Sequence, residues 1–190
     1  NRFILGIGAG WRDDEYKAYG YEFPRPAVRF AELEELIQIC RLMWTQDAPT
    51  FTGKHFHITE AAAPPKPEIV PPVCIGAYGE QIGLPMVGRL ADMWNASTQG
   101  NMERWLVKRD IVRASAEKSG RNPSDIHISL TVEKPLPNTD EESEKLRSEL
   151  QTMADHGVEH FVMDFGHPQS TEPVMRFVEQ VLQPMKAKRK

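Results

Sequence analysis

Residues 73–96 read VCIGAYGEQIGLPMVGRLADMWNA, and this stretch decides the fold. Its first residues, 73–75, form a short apolar run that stops at Gly76, which is typical of a buried strand. Residues 81–90 then read as a short helix despite Pro85, and residues 93–96 read as the next strand. A strand, a helix and a second strand in this order predict a βαβ unit with two parallel strands.

The same alternation extends to both sides of this unit and predicts five consecutive strand–helix units. The predicted strands cover residues 3–7, 73–75, 93–96, 126–132 and 160–164. The predicted helices cover residues 26–44, 81–90, 102–116, 141–156 and 172–185. This order predicts an α/β protein with a parallel sheet and leaves two architectures open, an open doubly wound sheet and part of a closed (β/α)8 barrel.

Residues 49–72 interrupt the alternation between the first long helix and the second strand. Within them, residues 50–58 alternate around a Gly-Lys turn, which predicts a small hairpin. Residues 61–72 contain five prolines and predict an extended connection. Because the strand–helix pattern resumes directly afterwards, we expect an insertion within one domain that covers residues 1–190.

The composition is that of an ordinary globular protein and argues against several classes of function. The 190 residues are 40% hydrophobic and carry a net charge of −4. Basic residues are spread out except at residues 186–190, which we interpret as a solvated helix end, so we expect no nucleic-acid partner. There is no apolar run as long as a membrane span and no signal peptide, so we expect no membrane partner. Cys40 and Cys74 read as buried thiols of a reducing compartment, which predicts a cytoplasmic protein.

Several motifs, taken in their order along the chain, resemble a known family. Residues 2–11 read RFILGIGAGW and precede an acidic stretch; residues 20–44 contain GYEF and RLMW; FTG follows at 51–53 and RLADMWN at 89–95. Together they resemble the bacterial-luciferase-like family of flavin- and F420-dependent oxidoreductases, best over residues 1–100. The resemblance implies a partial TIM (β/α)8 barrel, in which the five units correspond to barrel units four to eight.

The chain enters its first strand-like run at Asn1 and without an initiator methionine. In the register of the resemblance, three further units are therefore expected upstream, and this luciferase-like domain is expected to lack its N-terminal units. A partial barrel leaves sheet edges and apolar faces open, which favours association with other chains. We therefore expect a homo-oligomer.

In a barrel, ligands meet the carboxyl ends of the strands, and two of the loops there are rich in glycine. The first loop consists of Gly8, Ala9, Gly10, Trp11 and Arg12, and the second of Gly76, Ala77, Tyr78 and Gly79. Glycine lets backbone N–H groups approach an anion, and the second loop leads into a helix N-terminus, which favours a phosphate. The resemblance implies that both loops bind the phosphate of F420 or FMN. The alternative is that the glycines only make tight turns.

Individual residues of these loops carry further expectations. Arg12 is expected to add a charge-assisted contact to the phosphate. Trp11 either lines the cofactor or substrate pocket or packs under its loop. Many members of the family have two adjacent glycines at this point, whereas here Gly76 is followed by Ala77 and Tyr78. Ala77 is expected to permit a backbone contact, and Tyr78 is expected to narrow the pocket. The acidic residues 13–15 read as a solvated helix start.

No pattern of a catalytic triad, a P-loop or a cysteine–histidine metal site stands out, and His55 and His57 lack a third ligand. We therefore predict no metal and assign no catalytic residue. This absence fits an enzyme whose reactive atoms belong to its cofactor.

The resemblance implies an oxidoreductase that transfers a hydride between F420 and a small organic substrate. F420 is favoured because the G-A-G-W form is common among its users. Two alternatives remain open. One is an FMN-dependent monooxygenase, and the other is a non-catalytic flavin-binding or assembly protein of the same family. The substrate itself is not predicted.

Overall fold

The computed structural model describes residues 2–167 and 170–187, so the last three residues of the basic tail lie outside the described part of the chain. The chain forms two compact units. Residues 1–95 and 102–126 make up the first unit, and residues 96–101 and 127–190 make up the second. In the described residues no helix is long and apolar enough to cross a membrane.

The first unit alternates strands and helices. Its elements are β1 (Leu5–Ile7), α1 (Asp13–Ala18), α2 (Pro26–Thr45), β2 (Phe51–Thr52), β3 (His57–Ile58), β4 (Val73–Gly76), α3 (Gly83–Leu90), β5 (Met93–Ser97) and α4 (Met102–Lys118). The end of β5 already belongs to the second unit. β1, β4 and β5 are parallel neighbours, while β2 and β3 form the predicted antiparallel hairpin.

One face of the three parallel strands carries the core of this unit. Ile75 lies between Ile7 on β1 and Trp94 on β5, and both Ile75 and Trp94 are fully buried. The Trp94 ring stacks on that of Trp105 in α4, with ring centroids 5.6 Å apart. Apolar burial of this kind is the main stabilising contribution to a small domain.

β1 is shorter than the predicted strand over residues 3–7. Its first hydrogen bond runs from the Leu5 N–H to the Pro72 carbonyl. The two residues that precede β4, opposite the start of β1, are Pro71 and Pro72. Proline has no N–H to donate to a neighbouring strand. The pairing therefore begins at Leu5, and Phe3 remains 58% exposed.

α3 also begins later than predicted, at Gly83 rather than at residue 81. The Leu84 N–H reaches back to the Gly79 carbonyl, so a turn separates Gly79 from the helix. Pro85 falls in the first helical turn, where a missing N–H costs nothing. The helix then packs closely on α4, because a Cβ on Gly88 would lie 2.6 Å from the Val112 carbonyl oxygen.

The second unit contains two parallel strands and their helices. Its elements are β6 (His127–Glu133), α5 (Asp140–Asp155), β7 (His160–Asp164), α6 (Glu172–Phe177), a π-helical segment (Val178–Leu182) and α7 (Gln183–Ala187). β6 and β7 pair over five residues, from Ser129 opposite His160 to Glu133 opposite Asp164. The side chain of Thr139 caps α5 by accepting a hydrogen bond from the Glu142 N–H.

The single helix predicted over residues 172–185 is interrupted by the π-helical segment. Pro184 cannot donate to the carbonyl of Gln180, four residues before it. Arg147 of α5 donates to that carbonyl instead, at 3.1 Å. Prolines and π-helical turns are both common at distortions of helices.

The two cysteines are free thiols. Each is half-buried rather than buried, so this part of the sequence prediction is wrong. Burial nevertheless raises the pKa of both thiols, which makes their thiolate forms scarce near neutral pH.

Candidate functional site

The two glycine-rich turns predicted from the sequence lie side by side in the first unit. β1 and β4 are parallel with Ile7 opposite Ile75, so the chain leaves both strands at the same edge of the sheet. Gly8 and Gly76 come next, and a Cβ on Gly8 would lie only 3.1 Å from the Gly76 carbonyl oxygen. The expected placement of the turns is confirmed, whereas binding of an anion between them stays a prediction.

Two of the four glycines in these turns are needed by the fold itself. Gly8 allows the close approach just described, and Gly10 has a φ of +72° with Tyr16 Oη 2.6 Å from where its Cβ would be. The other two differ. A Cβ on Gly76 would come no closer than 3.9 Å to another group, and one on Gly79 would meet nothing within 4 Å. Packing does not explain these two glycines, and the space beside them is open.

Arg29 of α2 holds the carbonyl groups of the first turn. Its Nε donates to the Ala9 carbonyl at 3.0 Å and its Nη2 to the Gly10 carbonyl at 3.4 Å. The same guanidinium donates to the Pro24 carbonyl and lies 3.9 Å from the centre of the Phe23 ring. These contacts fix both the orientation of the turn and a positive charge behind it.

Trp94 and Lys108 hold the carbonyl groups of the second turn in the same way. The Trp94 Nε1–H donates to the Ala77 carbonyl at 2.9 Å, and the Lys108 ammonium donates to the Tyr78 carbonyl at 2.9 Å. Lys108 also pairs with Glu80 at 2.6 Å and lies 4.1 Å from the centre of the Tyr78 ring. Its side chain is only 2% exposed.

These four carbonyl contacts determine where the next N–H groups point. The peptide bonds of both turns are trans, and in a trans peptide the C=O and the following N–H point in opposite directions. The N–H groups of Gly10, Trp11, Tyr78 and Gly79 are therefore turned away from the side chains that hold the carbonyls. Within residues 2–167 and 170–187 no protein group accepts from them. Successive free N–H groups of this kind are suited to an anion.

The charges behind the second turn are set by the ion pair between Lys108 and Glu80. Its hydrogen bond and the positive charge of Lys108 lower the pKa of the Glu80 carboxyl. The Glu80 carboxyl is therefore ionised at neutral pH. Glu80 is 47% exposed and in contact with water, whereas the ammonium is enclosed by protein.

A buried hydroxyl without a partner also belongs to the second turn. In the described part of the chain, Tyr78 Oη is shielded from solvent and has no hydrogen-bond partner. The indole N–H of Trp105 is likewise shielded from solvent and has no hydrogen-bond partner among the described residues. Leaving such a group unpaired costs about 1–3 kcal/mol, so a partner that satisfies it would be stabilised there.

Trp11 and Arg12, at the end of the first turn, lie at the surface. Trp11 is 84% exposed, so the interpretation that it packs under its loop is wrong, and its contact with a ligand stays a prediction. Arg12 forms ion pairs with Asp14 at 2.5 Å and Glu15 at 3.0 Å. Its charge is therefore partly neutralised, and contact with a phosphate requires these exposed pairs to open.

A pocket of about 420 Å³ adjoins the first turn on the side of α2. Its lining combines the Arg29 guanidinium, the carboxylates of Glu22 and Glu32, and apolar atoms of Leu36 and Phe56. Leu36 and Phe56 are 38% and 39% exposed, so the pocket is partly open. Sequence patterns gave no indication of this pocket, because it joins the hairpin to residues 20 or more positions away.

The remaining expectations concern acidic and histidine residues. The acidic residues 13–15 do form the exposed first turn of α1, as predicted. His55 lies 3.8 Å from Glu32. Among the described residues no group of three or more His, Cys, Asp or Glu side chains could hold a metal ion.

The residues that shape both turns were absent from the sequence-based site, although Lys108 did leave a signal. Trp105, Val112 and Ala116 are buried on one stripe of α4, and Lys108 lies on that stripe three residues after Trp105. A lysine in the apolar stripe of a helix requires a partner inside the protein. No comparable signal identifies Arg29 or Trp94.

Comparisons with known proteins extend these observations to the family. A family model described as luciferase-like monooxygenase matches residues 1–181. Among curated proteins, the F420-dependent glucose-6-phosphate dehydrogenase of Amycolatopsis mediterranei is 31% identical over 147 residues, and that of Gordonia bronchialis is 37% identical over 123 residues. These alignments cover 73% and 64% of this chain but only 44% and 36% of the relatives. The chain thus spans less than half the length of the curated relatives that it matches.

Solved structures show the same fold at lower identity. An F420-dependent secondary alcohol dehydrogenase in complex with an F420-acetone adduct is 19% identical with a TM-score of 0.69, covering 86% of this chain and 64% of that chain. The coenzyme F420 dependent tetrahydromethanopterin reductase of Methanopyrus kandleri is 14% identical with a TM-score of 0.72, covering 95% and 74%. A long-chain alkane monooxygenase is 13% identical with a TM-score of 0.72, covering 91% and 60%.

These structural similarities show an α/β fold of the partial (β/α)8-barrel class, as predicted, and not an open doubly wound sheet. The match of the family model extends over nearly the whole chain. The chain belongs to the luciferase-like monooxygenase family.

Proposed function

We propose that this chain belongs to an F420-dependent oxidoreductase that transfers a hydride between the cofactor and a small organic substrate. The observation that carries the proposal is the pair of adjacent turns after β1 and β4. In both turns the carbonyls are held back by Arg29, Trp94 and Lys108, which leaves four N–H groups free. The curated relatives, which are named F420-dependent dehydrogenases, favour F420.

The residues of both turns fit the phosphate of such a cofactor. Open space beside Gly76 and Gly79 allows a phosphate to approach the backbone, and two buried or half-buried cations lie behind the turns. A phosphate in this space can accept hydrogen bonds from the four N–H groups, and its charge is favoured by the cations behind the turns.

The bound deazaflavin would supply the hydride chemistry, and the residues described here bind and orient it. Arg29 and Lys108 keep the turns in the anion-binding conformation before the cofactor arrives. Preorganisation of this kind avoids part of the entropic cost of binding. No side chain of this chain is assigned a proton-transfer role.

F420 and FMN both carry a phosphate on a ribityl chain, so the turns alone do not distinguish them. An FMN-dependent monooxygenase is therefore the second candidate, and a cofactor-binding protein without turnover is the third. We further propose that the protein is cytoplasmic.

A binding experiment separates these candidates. Purified protein is titrated with F420 and with FMN while the cofactor fluorescence is followed, and oxidised F420 is then offered with small alcohols and sugar phosphates. We expect F420 to bind and its reduction to be observed with one substrate class. Binding of FMN alone, with oxygen-dependent turnover, indicates the monooxygenase, and binding without turnover indicates the non-catalytic protein. If neither cofactor binds, the proposal is wrong.

Gly79→Val tests whether the second turn is the binding site. A Cβ at this position meets no protein atom, so we expect the unfolding midpoint to remain close to that of the unmodified protein. The added side chain occupies the open space beside the N–H groups, and we expect the F420 affinity to fall about tenfold or more. Ala114→Val, on the exposed face of α4, is the control for added apolar volume. Equal F420 affinities for both variants would place the cofactor elsewhere.

A further inference from the structure

Lys108 is a lysine that the fold buries almost completely. Its side chain is 2% exposed, and its ammonium is in contact with the Tyr78 carbonyl of the second turn and with the carboxylate of Glu80, the residue that follows this turn. The ammonium also lies 4.1 Å from the centre of the Tyr78 ring. Burying a charged group is costly unless its contacts compensate. The contacts seen at this ammonium are with Tyr78 and Glu80, so the charge is buried where it can hold the turn.

We propose that Lys108 is a positioning residue that gives the turn of Tyr78 and Gly79 its affinity for a phosphate group. Its hydrogen bond keeps the Tyr78 carbonyl on the protein side, so the Gly79 N–H, in the same trans peptide, points the other way. The proposal rests on the proposed function, since it concerns how the same turn recognises the phosphate of the cofactor.

Trp94 supports this role from the neighbouring peptide. Its indole N–H donates to the Ala77 carbonyl at 2.9 Å, and the Trp94 side chain is fully buried. Two consecutive peptide groups are therefore oriented by two side chains from different elements, β5 and α4.

The alternative is that Lys108 contributes only an ion pair with Glu80 to the stability of the turn. The two views differ in what they predict for Glu80. If the ion pair matters, Glu80→Gln and Lys108→Met change the phosphate affinity to the same extent. If the carbonyl contact and the positive charge matter, Glu80→Gln leaves both in place and removes a negative charge near the phosphate. The phosphate affinity then stays the same or increases.

The test compares ligands that differ only in the phosphate-bearing part. F420 is compared with its deazaflavin whose ribityl chain is unphosphorylated, and FMN is compared with riboflavin. We expect Lys108→Met to weaken the binding of the phosphate-containing ligand about tenfold and to change that of the phosphate-free ligand less than about twofold. Lys118→Met removes the same charge from the exposed end of α4 and is the control, with no change expected for either ligand.

The outcomes separate this inference from the proposed function. If the unmodified protein binds neither F420 nor FMN, the proposed function fails. If it binds but Lys108→Met weakens both members of a ligand pair equally, or neither, Lys108 is not a positioning residue for the phosphate. If Lys108→Met does not fold, Glu80→Gln decides, since its side chain is half-exposed. A loss of phosphate-dependent affinity in Glu80→Gln contradicts the inference, and an unchanged or higher affinity supports it.

Discussion

Gly10 is the position where a small change should alter the first turn most strongly. With Gly10→Ala, an L residue must adopt a φ of +72°, which costs about 1–2 kcal/mol. The new Cβ would lie 2.6 Å from Tyr16 Oη, so the Tyr16 ring must leave its edge-on packing with Phe23. Displacing a packed ring costs a further ~1–3 kcal/mol, and the lower entropy of the unfolded chain offsets about 0.4–1 kcal/mol. We expect the free energy of unfolding to fall by about 1–5 kcal/mol.

The assay is urea unfolding followed by tryptophan fluorescence, with Gly20→Ala as the matched control. Gly20 has a φ of +76°, but a Cβ there meets nothing within 4 Å. The control therefore carries the backbone strain without the collision and should lose only about 1 kcal/mol. Equal losses in the two variants would refute the reasoning that Tyr16 limits the space at this turn. A loss below about 0.5 kcal/mol for Gly10→Ala would refute the strain argument as well.

Two further predictions concern the hairpin and the residues beside the edge strand β1. Glu35 accepts hydrogen bonds from the N–H groups of residues 54, 55 and 56. Burial raises the pKa of its carboxyl, but the three hydrogen bonds together lower this pKa below its ordinary value. Its stabilising contribution is therefore present above the ordinary glutamate pKa and lost as the pH falls through the lowered one. Glu35→Gln should increase hydrogen exchange of the hairpin amides at neutral pH and make little difference in strong acid; equal effects at both pH values would contradict this. Phe3 and Ile4 are 58% and 45% exposed beside β1, so we propose that the protein associates with itself there. The protein should sediment as an oligomer, and the double variant Phe3→Ser, Ile4→Ser should sediment as a smaller species. A monomeric unmodified protein would contradict the proposal.

The order and type of the elements could be predicted from the sequence because each strand and helix has its own hydrophobic pattern. The boundaries depended on partners that are distant in the chain. The ladder of β1 begins at Leu5 because Pro72 lies opposite its start. The last helix widens before Pro184, and the freed carbonyl is bonded by Arg147 from another helix. The partner residues Pro72 and Arg147 are not visible in the local patterns of these segments, although Pro184 itself lies within the last helix.

The candidate site was predicted in part. Its glycine-rich turns could be located because they directly follow apolar strands, and parallel pairing then brings them together. The sequence could not show that Gly8 and Gly10 satisfy the fold while Gly76 and Gly79 leave open space. It also could not show that Arg29 and Lys108 hold the carbonyls, because these contacts join residues about 20 and 30 positions apart. Only the apolar stripe around Lys108 hinted at such a contact.

The most direct test of the central claim observes the four backbone amides of the two turns. In ¹⁵N-labelled protein, the amide chemical shifts of Gly10, Trp11, Tyr78 and Gly79 are compared between saturation with F420 and with its phosphate-free deazaflavin. We predict that the largest differences between the two ligands fall on these four amides, because they would donate to the phosphate. The same shifts for both ligands at these amides, with the differences located elsewhere in the chain, would contradict the account.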